Sequence, residues 1–231
     1  MLDLNEARRT ATERGWLSLT PPAFQQSVLK RTSLRTLKIG ETLHYAGDDS
    51  IGIYGILTGR LQVELAGENT DPFLIHVLRP GAWIGEGPSI TGRPRVVTLT
   101  AATACELLFL PQTAASDIVM QDPASWRFFV IPLQWHFETA LGAIGDMVLR
   151  DYNKRIVASL LRLGGLRTGE APPRGRIEIE VSQEEIAVMT NVARVTAGLV
   201  LRKLAKAGLI ELGYGQITLL APARLQTMME A

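Results

Sequence analysis

The stretch that decides the fold is residues 182–206, which read SQEEIAVMTNVARVTAGLVLRKLAK. Ser182 with Glu185 three residues later is the pattern of a capping box, so a helix is predicted to begin at this point. Thr190 and Asn191 interrupt its apolar pattern, and asparagine tolerates the left-handed backbone of a tight turn. A second helix follows, and its apolar residues are predicted to face a core. Those inward residues are Ala197, Val200, Leu201 and Leu204.

The segments on either side of these helices have the pattern of strands. RIEIEV at 176–181 alternates apolar and polar residues, and LIELGYGQITLL at 209–220 predicts two strands around a Gly213-Tyr214-Gly215 turn. Two helices followed by a hairpin indicate a winged helix-turn-helix, in which the second helix enters the major groove of DNA. A helical hairpin in an all-α domain is the alternative, and the flanking strands count against it.

The second helix is predicted to offer DNA the side that faces away from the core. Charge supports this interpretation, although the chain as a whole carries only +1. Residues 151–231 hold 11 Lys/Arg and 8 Asp/Glu, a net +3, whereas residues 1–150 hold 13 and 15, a net −2. Positive charge attracts the phosphate backbone. The residues on or near the outer side are Arg194, Val195, Gly198, Leu199 and Arg202.

Residues 33–110 consist of short strand patterns separated by glycine, which favours a sandwich or jelly roll. Cupin-type metal enzymes share this architecture, but they need clustered histidines and a carboxylate. His44, His76 and His136 are scattered along the chain. The single cysteine, Cys105, excludes an internal disulfide or a multi-cysteine metal site and is expected to be buried. Because no nucleophile–base set stands out either, we expect neither a metal centre nor an enzyme.

Residues 122–151 are predicted to form a long helix with an apolar heptad repeat. Asp122 can cap its start, Pro123 suits the first turn, and Pro132 should bend the helix without ending it. Gly142, Ala143 and Gly145 would let two backbones approach closely. The helix could pack on its own sandwich, but its place before a DNA reader favours a parallel homodimer. The repeat begins at Trp126 and Val130, and the expected interface is Leu133, Phe137, Ala140, Ile144 and Met147.

The expected class is therefore α+β, with a sensor sandwich at 1–121, a dimerisation helix at 122–151 and a winged helix-turn-helix at 152–231. No apolar run approaches the roughly 20 residues that span a membrane. The N-terminal residues lack the basic-then-apolar plan of a secretory signal. We expect a cytoplasmic protein with no membrane contact.

This order of elements resembles the Crp/Fnr family of bacterial transcription regulators. The resemblance covers nearly the whole chain. It implies a cyclic-nucleotide-binding-like sandwich that controls the geometry of the two DNA-binding domains of a dimer. Its motifs are GETLHYAGD at 40–48, YGILTGRLQV at 54–63, LRPGAWIGE at 78–86, TACELLFL at 103–110 and SQEEIAVMTNVARVTAGLVLRKLAKAGLI at 182–210.

The resemblance also implies an effector site. Gly85, Glu86 and Arg95 match a phosphate cassette, in which the glutamate accepts from a ribose hydroxyl and the arginine pairs with a cyclic phosphate. Val96 occupies the usual Ser/Thr place, and Gly87-Pro88 replaces an apolar pair. The positions that would meet the base are Ala140 and Leu141. These departures leave open a cyclic nucleotide such as cyclic AMP, another small molecule, or no effector.

On the DNA side, Arg194 matches the base-reading arginine of the family and suits a guanine. Val195 and Leu199 stand where many members carry glutamate and arginine, so a different site with thymine methyl contacts is expected.

Ser182, Thr196 and Arg202 are the expected phosphate contacts. The implied partners are an inverted repeat in double-stranded DNA, a second copy of the chain and RNA polymerase. The alternative is a ligand-binding signalling module whose C-terminal domain contacts protein.

Overall fold

The fold is described from a computed structural model over residues 3–65, 72–167 and 176–230. The chain divides into two compact units. The first contains residues 1–72 and 77–134, and the second contains residues 73–76 and 135–231.

Two four-stranded sheets lie in the N-terminal part of the chain, and the strand pairs described within them are antiparallel. Their orders are β1-β8-β3-β6 and β2-β7-β4-β5. The strands are β1 Ser33–Leu37, β2 Thr42–His44, β3 Gly52–Thr58, β4 Leu61–Leu65, β5 Phe73–Leu78, β6 Trp83–Ile84, β7 Thr98–Ala101 and β8 Cys105–Pro111. The predicted N-terminal sandwich is confirmed.

Helices cover the sheet that contains β3 and β8, so these strands are buried at nearly every position. No sequence pattern predicted the two helices that lie within residues 3–29. The helices are α1 Leu4–Glu13, α2 Pro22–Leu29, α3 Glu86–Thr91 and α4 Gln112–Gln121, with a 3-10 turn at Trp16–Leu19. The fully buried Trp16 holds this segment in place. Its indole N–H donates to the carbonyl of Phe128, and its ring contacts those of Phe24, Trp83 and Phe129.

The long helix α5 spans Trp126–Val148. As expected, Asp122 caps its approach by accepting from the amide of Ala124, and Pro123 opens a 3-10 turn that leads into the helix. Pro132 lies inside the helix without ending it. The sequence therefore predicted both the start of this helix and its continuation past the proline.

The second unit has the predicted winged helix-turn-helix. Its helices are α6 Tyr152–Leu163, α7 Gln183–Met189, α8 Arg194–Lys206 and α9 Pro222–Glu230, and its strands are β9 Ile177–Ile179, β10 Ile210–Gly213 and β11 Gln216–Leu219. The strands form an antiparallel sheet in the order β10-β11-β9. These four helices and three strands contribute to one core, which includes Ile156, Leu160, Ile186, Leu201 and Ile217. The α+β class is confirmed.

Candidate nucleic-acid interface and sensor site

Helix α7 begins at a complete capping box. The Ser182 hydroxyl oxygen accepts from the amide of Glu185 at 3.1 Å, and the Glu185 carboxylate accepts from the amide of Ser182 at 2.7 Å. These two bonds satisfy amide groups that would otherwise lack a partner at a helix start. Ser182 is half-buried here, and its hydroxyl hydrogen is still available to an external acceptor.

The turn between α7 and α8 is held by backbone and side-chain hydrogen bonds. The buried Thr190 donates its hydroxyl to the carbonyl of Ile186 at 2.6 Å. Asn191 adopts φ +50°, the left-handed conformation predicted for it. The amide of Val192 then donates to the carbonyl of Ala187 at 3.0 Å. The turn residues therefore fix the direction in which α8 leaves α7.

Helix α8 has the two sides that the sequence predicted. Ala197, Val200, Leu201 and Leu204 are all buried in the core of the second unit. On the outer side, Val195 is 72% exposed and Leu199 is 59% exposed. Arg194 and Arg202 are exposed, and Thr196 is half-buried.

Two polar neighbours from α7 reach the outer side of α8. Glu184 pairs with Arg194, with 3.5 Å between a carboxylate oxygen and a guanidinium nitrogen. Gly198 was expected on the outer side but is buried. A Cβ at Gly198 would lie 3.3 Å from Arg202 and 3.4 Å from Gln183, so these two side chains cover it. The guanidinium end of Arg202 therefore lies next to Gly198.

The wing is the hairpin of β10 and β11, which pair from Ile210–Leu219 to Gly213–Gln216. Tyr214 lies at the tip and is fully exposed. From the sequence, Tyr214 was expected only as part of the turn. A large aromatic residue between two glycines has no neighbour to pack against, and that signal could have singled it out.

In the sensor unit, the structure brings Gly85, Glu86 and Arg95 together. Gly85 has φ +101° and precedes α3. A Cβ there would lie 2.3 Å from a guanidinium nitrogen of Arg95 and 2.8 Å from the carbonyl oxygen of Gly52. Glu86 is 3% exposed and Arg95 is 4% exposed. Glycine is therefore required at 85 by its backbone conformation and by the arginine.

Arg95 has unused hydrogen-bond donors. Its Nη2 donates to the carbonyl of Gly52 at 2.7 Å, and its backbone is held by Asp48 and Gly47. Within the described residues, the buried Nε and Nη1 atoms of Arg95 have no acceptor. An unsatisfied buried guanidinium donor is costly, so this site suits an anion.

The electrostatics around Arg95 follow from burial. Burial lowers the pKa of Arg95, while Tyr54, Glu86 and Asp48 act in the opposite direction. Burial, together with the charge of Arg95, lowers the pKa of His44 to about 4. Burial raises the pKa of Tyr54, whose ring lies 5.9 Å from the Arg95 guanidinium carbon. The site therefore holds a neutral histidine and a neutral phenol beside one buried cation.

The other predicted effector residues are placed differently. Val96 is 70% exposed and has no hydroxyl to offer. Ala140 and Leu141 lie in the second unit and are exposed on α5. The first unit by itself therefore assembles Gly85, Glu86 and Arg95 of the expected set.

The predicted dimer residues form an exposed apolar stripe along α5. Phe137 and Ile144, the most exposed of its large side chains, are 57% and 62% exposed. Leu133, Ala140 and Met147 are exposed as well. Gly142, which was expected to admit a second backbone, faces α6 instead, because a Cβ there would lie 3.3 Å from Arg162 Cδ.

Cys105 is buried, as predicted. Among the described residues, no three His, Cys, Asp or Glu side chains come together as a metal site. Within the same ranges, every helix is too short or too polar to cross a bilayer.

Comparisons with known proteins agree with this arrangement of domains. Residues 34–122 match the model of the cyclic nucleotide-binding domain, and residues 154–228 match that of the Crp-like helix-turn-helix domain. The transcriptional regulator SdrP of Thermus thermophilus is 25% identical over 198 residues, which are 85% of this chain and 94% of that protein. The cAMP-activated global transcriptional regulator CRP of Haemophilus influenzae is 22% identical over 184 residues, 79% of this chain and 81% of that protein.

Solved structures share the fold over most of the chain. A CRP/FNR-family transcriptional regulator from Thermus thermophilus superposes with a TM-score of 0.62 at 25% identity, covering 86% of this chain and 99% of that structure. FixK2 from Bradyrhizobium japonicum gives a TM-score of 0.73 at 14% identity, covering 87% and 98%. Because the two domain models together match more than half of the chain, this protein belongs to the Crp/Fnr family of transcription regulators.

Proposed function

We propose that this regulator is a homodimer that reads an inverted repeat in double-stranded DNA, and that its sensor unit binds a small anionic effector. One observation carries the DNA part of the proposal: α8 buries every residue predicted to face inward and exposes Arg194, Val195, Leu199 and Arg202. An α-helix with such a side can enter the major groove.

Base reading is assigned to the first two turns of α8. Arg194 can form two parallel hydrogen bonds to a guanine once DNA displaces Glu184 from it. Their 3.5 Å pair is exposed, so it is worth little and is easily exchanged. Val195 and Leu199 carry no hydrogen-bonding groups, so they would meet thymine methyl groups.

Phosphate contacts are assigned to Ser182, Thr196 and Arg202, which position the protein without reading sequence. The N-cap residue of α8 is Ala193, whose side chain cannot accept from the first amides of this 13-residue helix. Those amides remain available to a phosphate, which the positive end of the helix dipole also favours. Tyr214 is assigned to the backbone next to the groove, because it is the outermost residue of the wing.

The test of the reading helix is Arg194→Ala, measured as affinity for a selected site at a stated salt concentration. The specific binding free energy should weaken by about 1–3 kcal/mol, with relaxed selectivity at the contacted base pair. Arg224→Ala is the matched control, since Arg224 is an exposed arginine of the same unit on α9. Equal affinity of the Arg194 variant and the wild type would remove Arg194 from the reading set. If the wild type itself binds no specific DNA but its C-terminal domain binds a protein partner, the signalling-module alternative is favoured.

Dimerisation is assigned to the exposed stripe of α5. An apolar stripe at heptad spacing gains stability by packing against a second copy. A two-fold dimer would present two copies of α8 to successive major grooves about 34 Å apart. A transcription regulator acts on DNA and on RNA polymerase. We therefore place the protein in the cytoplasm, where both are found.

The effector is assigned to the site around Arg95. Two donor atoms of a buried guanidinium without an acceptor among the described residues suit a phosphate or carboxylate. Glu86 would accept from a hydroxyl of the same molecule. Val96 offers no hydroxyl donor, so a cyclic nucleotide would be held by fewer hydrogen bonds here than the family pattern provides.

Thermal stability with added cyclic AMP, cyclic GMP or inorganic phosphate tests the effector site. A molecule that binds the folded state raises the melting temperature, and Arg95→Ala should abolish that rise. Arg93→Ala, two residues away and exposed, is the control that should keep it. A molecule that stabilises the wild type and the Arg95 variant equally binds elsewhere.

A further inference from the structure

Asp146 is a buried carboxylate on a helix that is otherwise exposed at this end. It lies on α5 between the exposed Gly145 and Met147, yet its side chain is 3% exposed. It faces away from the apolar stripe. A charge in such a place is costly unless other groups satisfy it fully.

Two arginines of the winged unit satisfy Asp146. Arg162, in the last turn of α6, donates from Nε to one carboxylate oxygen at 3.0 Å, and its side chain is 1% exposed. Arg167, just beyond α6, donates to the other carboxylate oxygen. Arg162 also lies 3.4 Å from the Ser159 hydroxyl and 3.4 Å from His76 Nδ1. Each carboxylate oxygen thus has its own guanidinium.

Gly142 makes room for this arrangement. A Cβ at this position would lie 3.3 Å from Arg162 Cδ, which is closer than ordinary contact. The arginine therefore crosses α5 at a residue without a side chain. Since Gly142 and Asp146 are four residues apart, they lie on the same side of the helix.

Only Leu149, Arg150 and Asp151 connect α5 to α6. A three-residue connection can absorb a large change in backbone angles, as hinges do. Replacing a buried ion pair with apolar residues of similar size often leaves stability unchanged or improves it, and in some systems such pairs are retained because they specify one geometry. The Asp146 cluster is therefore weak evidence for fold stability, and its place beside this short connection suits control of the angle between α5 and α6.

We propose that Asp146 and Arg162 are positioning residues for DNA reading, which fix the angle between the dimer helix and the winged unit. The inference rests on the proposed function, because the angle matters when two copies of α8 must reach two half-sites at once. Binding an inverted repeat through both heads strengthens affinity about 10²- to 10⁴-fold over one half-site when the geometry allows it. We expect the Asp146 cluster to maintain this ratio of full-site to half-site affinity.

The test replaces the pair by apolar residues, Asp146→Leu with Arg162→Met. Arg167 can then turn to solvent, since its side chain is already 34% exposed. We expect a folded dimer with wild-type affinity for a single half-site. The ratio of full-site to half-site affinity should fall about tenfold or more, and half-site spacing should be read less strictly. The matched control exchanges an exposed pair on α1, Arg9→Met with Glu13→Leu, and should leave the ratio unchanged.

A second measurement does not depend on DNA. Tyr214→Cys provides a fully exposed spin-label site on each wing, while Cys105 is buried. The distance distribution between the two labels of a dimer should be narrow in the wild-type background and broad in the Asp146–Arg162 variant. If the double variant does not fold, Arg162→Lys is used in its place. Lysine keeps the positive charge but lacks the planar guanidinium, so the distance distribution should be broader than in the wild type but narrower than expected for the double variant.

The inference would be overturned by an unchanged distance distribution together with an unchanged affinity ratio in a variant that folds. Its failure is distinguishable from failure of the proposed function. If the wild type itself binds no inverted repeat, then the proposed function fails, whatever the Asp146 variants show.

Discussion

Replacing Ile144 by alanine should weaken the homodimer, because Ile144 is one of the most exposed large residues of the α5 stripe. Its side chain is 62% exposed in the single chain. Fully burying an isoleucine is worth about 1.5–3 kcal/mol, so covering the exposed part is worth about 1–2 kcal/mol. Each dimer contains two copies, and the expected loss is about 2–4 kcal/mol, or about 30- to 700-fold in the dimer dissociation constant.

Ile39→Ala provides the matched control for this experiment. Ile39 is the same residue type and is 73% exposed, but it lies in the turn between β1 and β2. Analytical ultracentrifugation across a dilution series would give both dissociation constants. A wild-type dissociation constant for the Ile144 variant, or an equal loss in both variants, would refute the assignment of the stripe to the dimer interface.

Arg202→Ala should weaken binding to all DNA sequences alike and reduce the salt slope by about one, which titrations at several salt concentrations would check. Because the pKa of His44 is depressed in the folded state, the unfolded state takes up a proton on this histidine at a higher pH than the folded state does. The free energy of unfolding should therefore fall by about 3 kcal/mol as the pH drops from 6.5 to about 4. His44→Gln should remove that part of the slope in denaturation curves, and equal slopes would contradict the assignment. Leu201→Ala should cost about 2–5 kcal/mol of unfolding free energy, because the fully buried side chain leaves a cavity in the winged unit, and a loss below about 1 kcal/mol would count against that packing.

The winged helix-turn-helix was predictable because its signals are local. The capping box at Ser182, the left-handed Asn191 and the alternation around Gly213-Tyr214-Gly215 each depend on residues close together in sequence. The inward and outward sides of α8 follow from helical period alone. The exception is Gly198, where the long side chain of Arg202 covers a residue that the period places outside.

Long-range contacts in the sensor unit were not predictable. Trp16 reaches the carbonyl of Phe128, 112 positions away, and no local pattern of residues 3–29 indicates this. The resemblance to the family predicted Glu86 and Arg95 as cassette residues. It did not predict which Arg95 donors lack an acceptor, because that depends on how the backbone folds at Gly52 and Gly85.

The Asp146 cluster shows the same limit within α5. A heptad pattern identifies which residues form the stripe, but it does not say which neighbour covers the other side. Gly142 fits equally well as a close approach of two backbones or as room for Arg162, and the structure assigns it to the arginine. Asp146 and Arg162 are 16 residues apart on different helices, so only the fold joins them.

Selection of binding sites from random duplex DNA at a stated salt concentration tests the central claim most directly, with purified wild-type protein and Arg194→Ala in parallel. The wild type should enrich an inverted repeat whose half-site centres lie about 10 base pairs, or a multiple of this, apart. The variant should lose selectivity at one base pair in each half. The assignment of α8 as the DNA reader would be contradicted if both proteins enriched the same sequences. It would also be contradicted if repeated selections, with cell extract added, enriched no sequence.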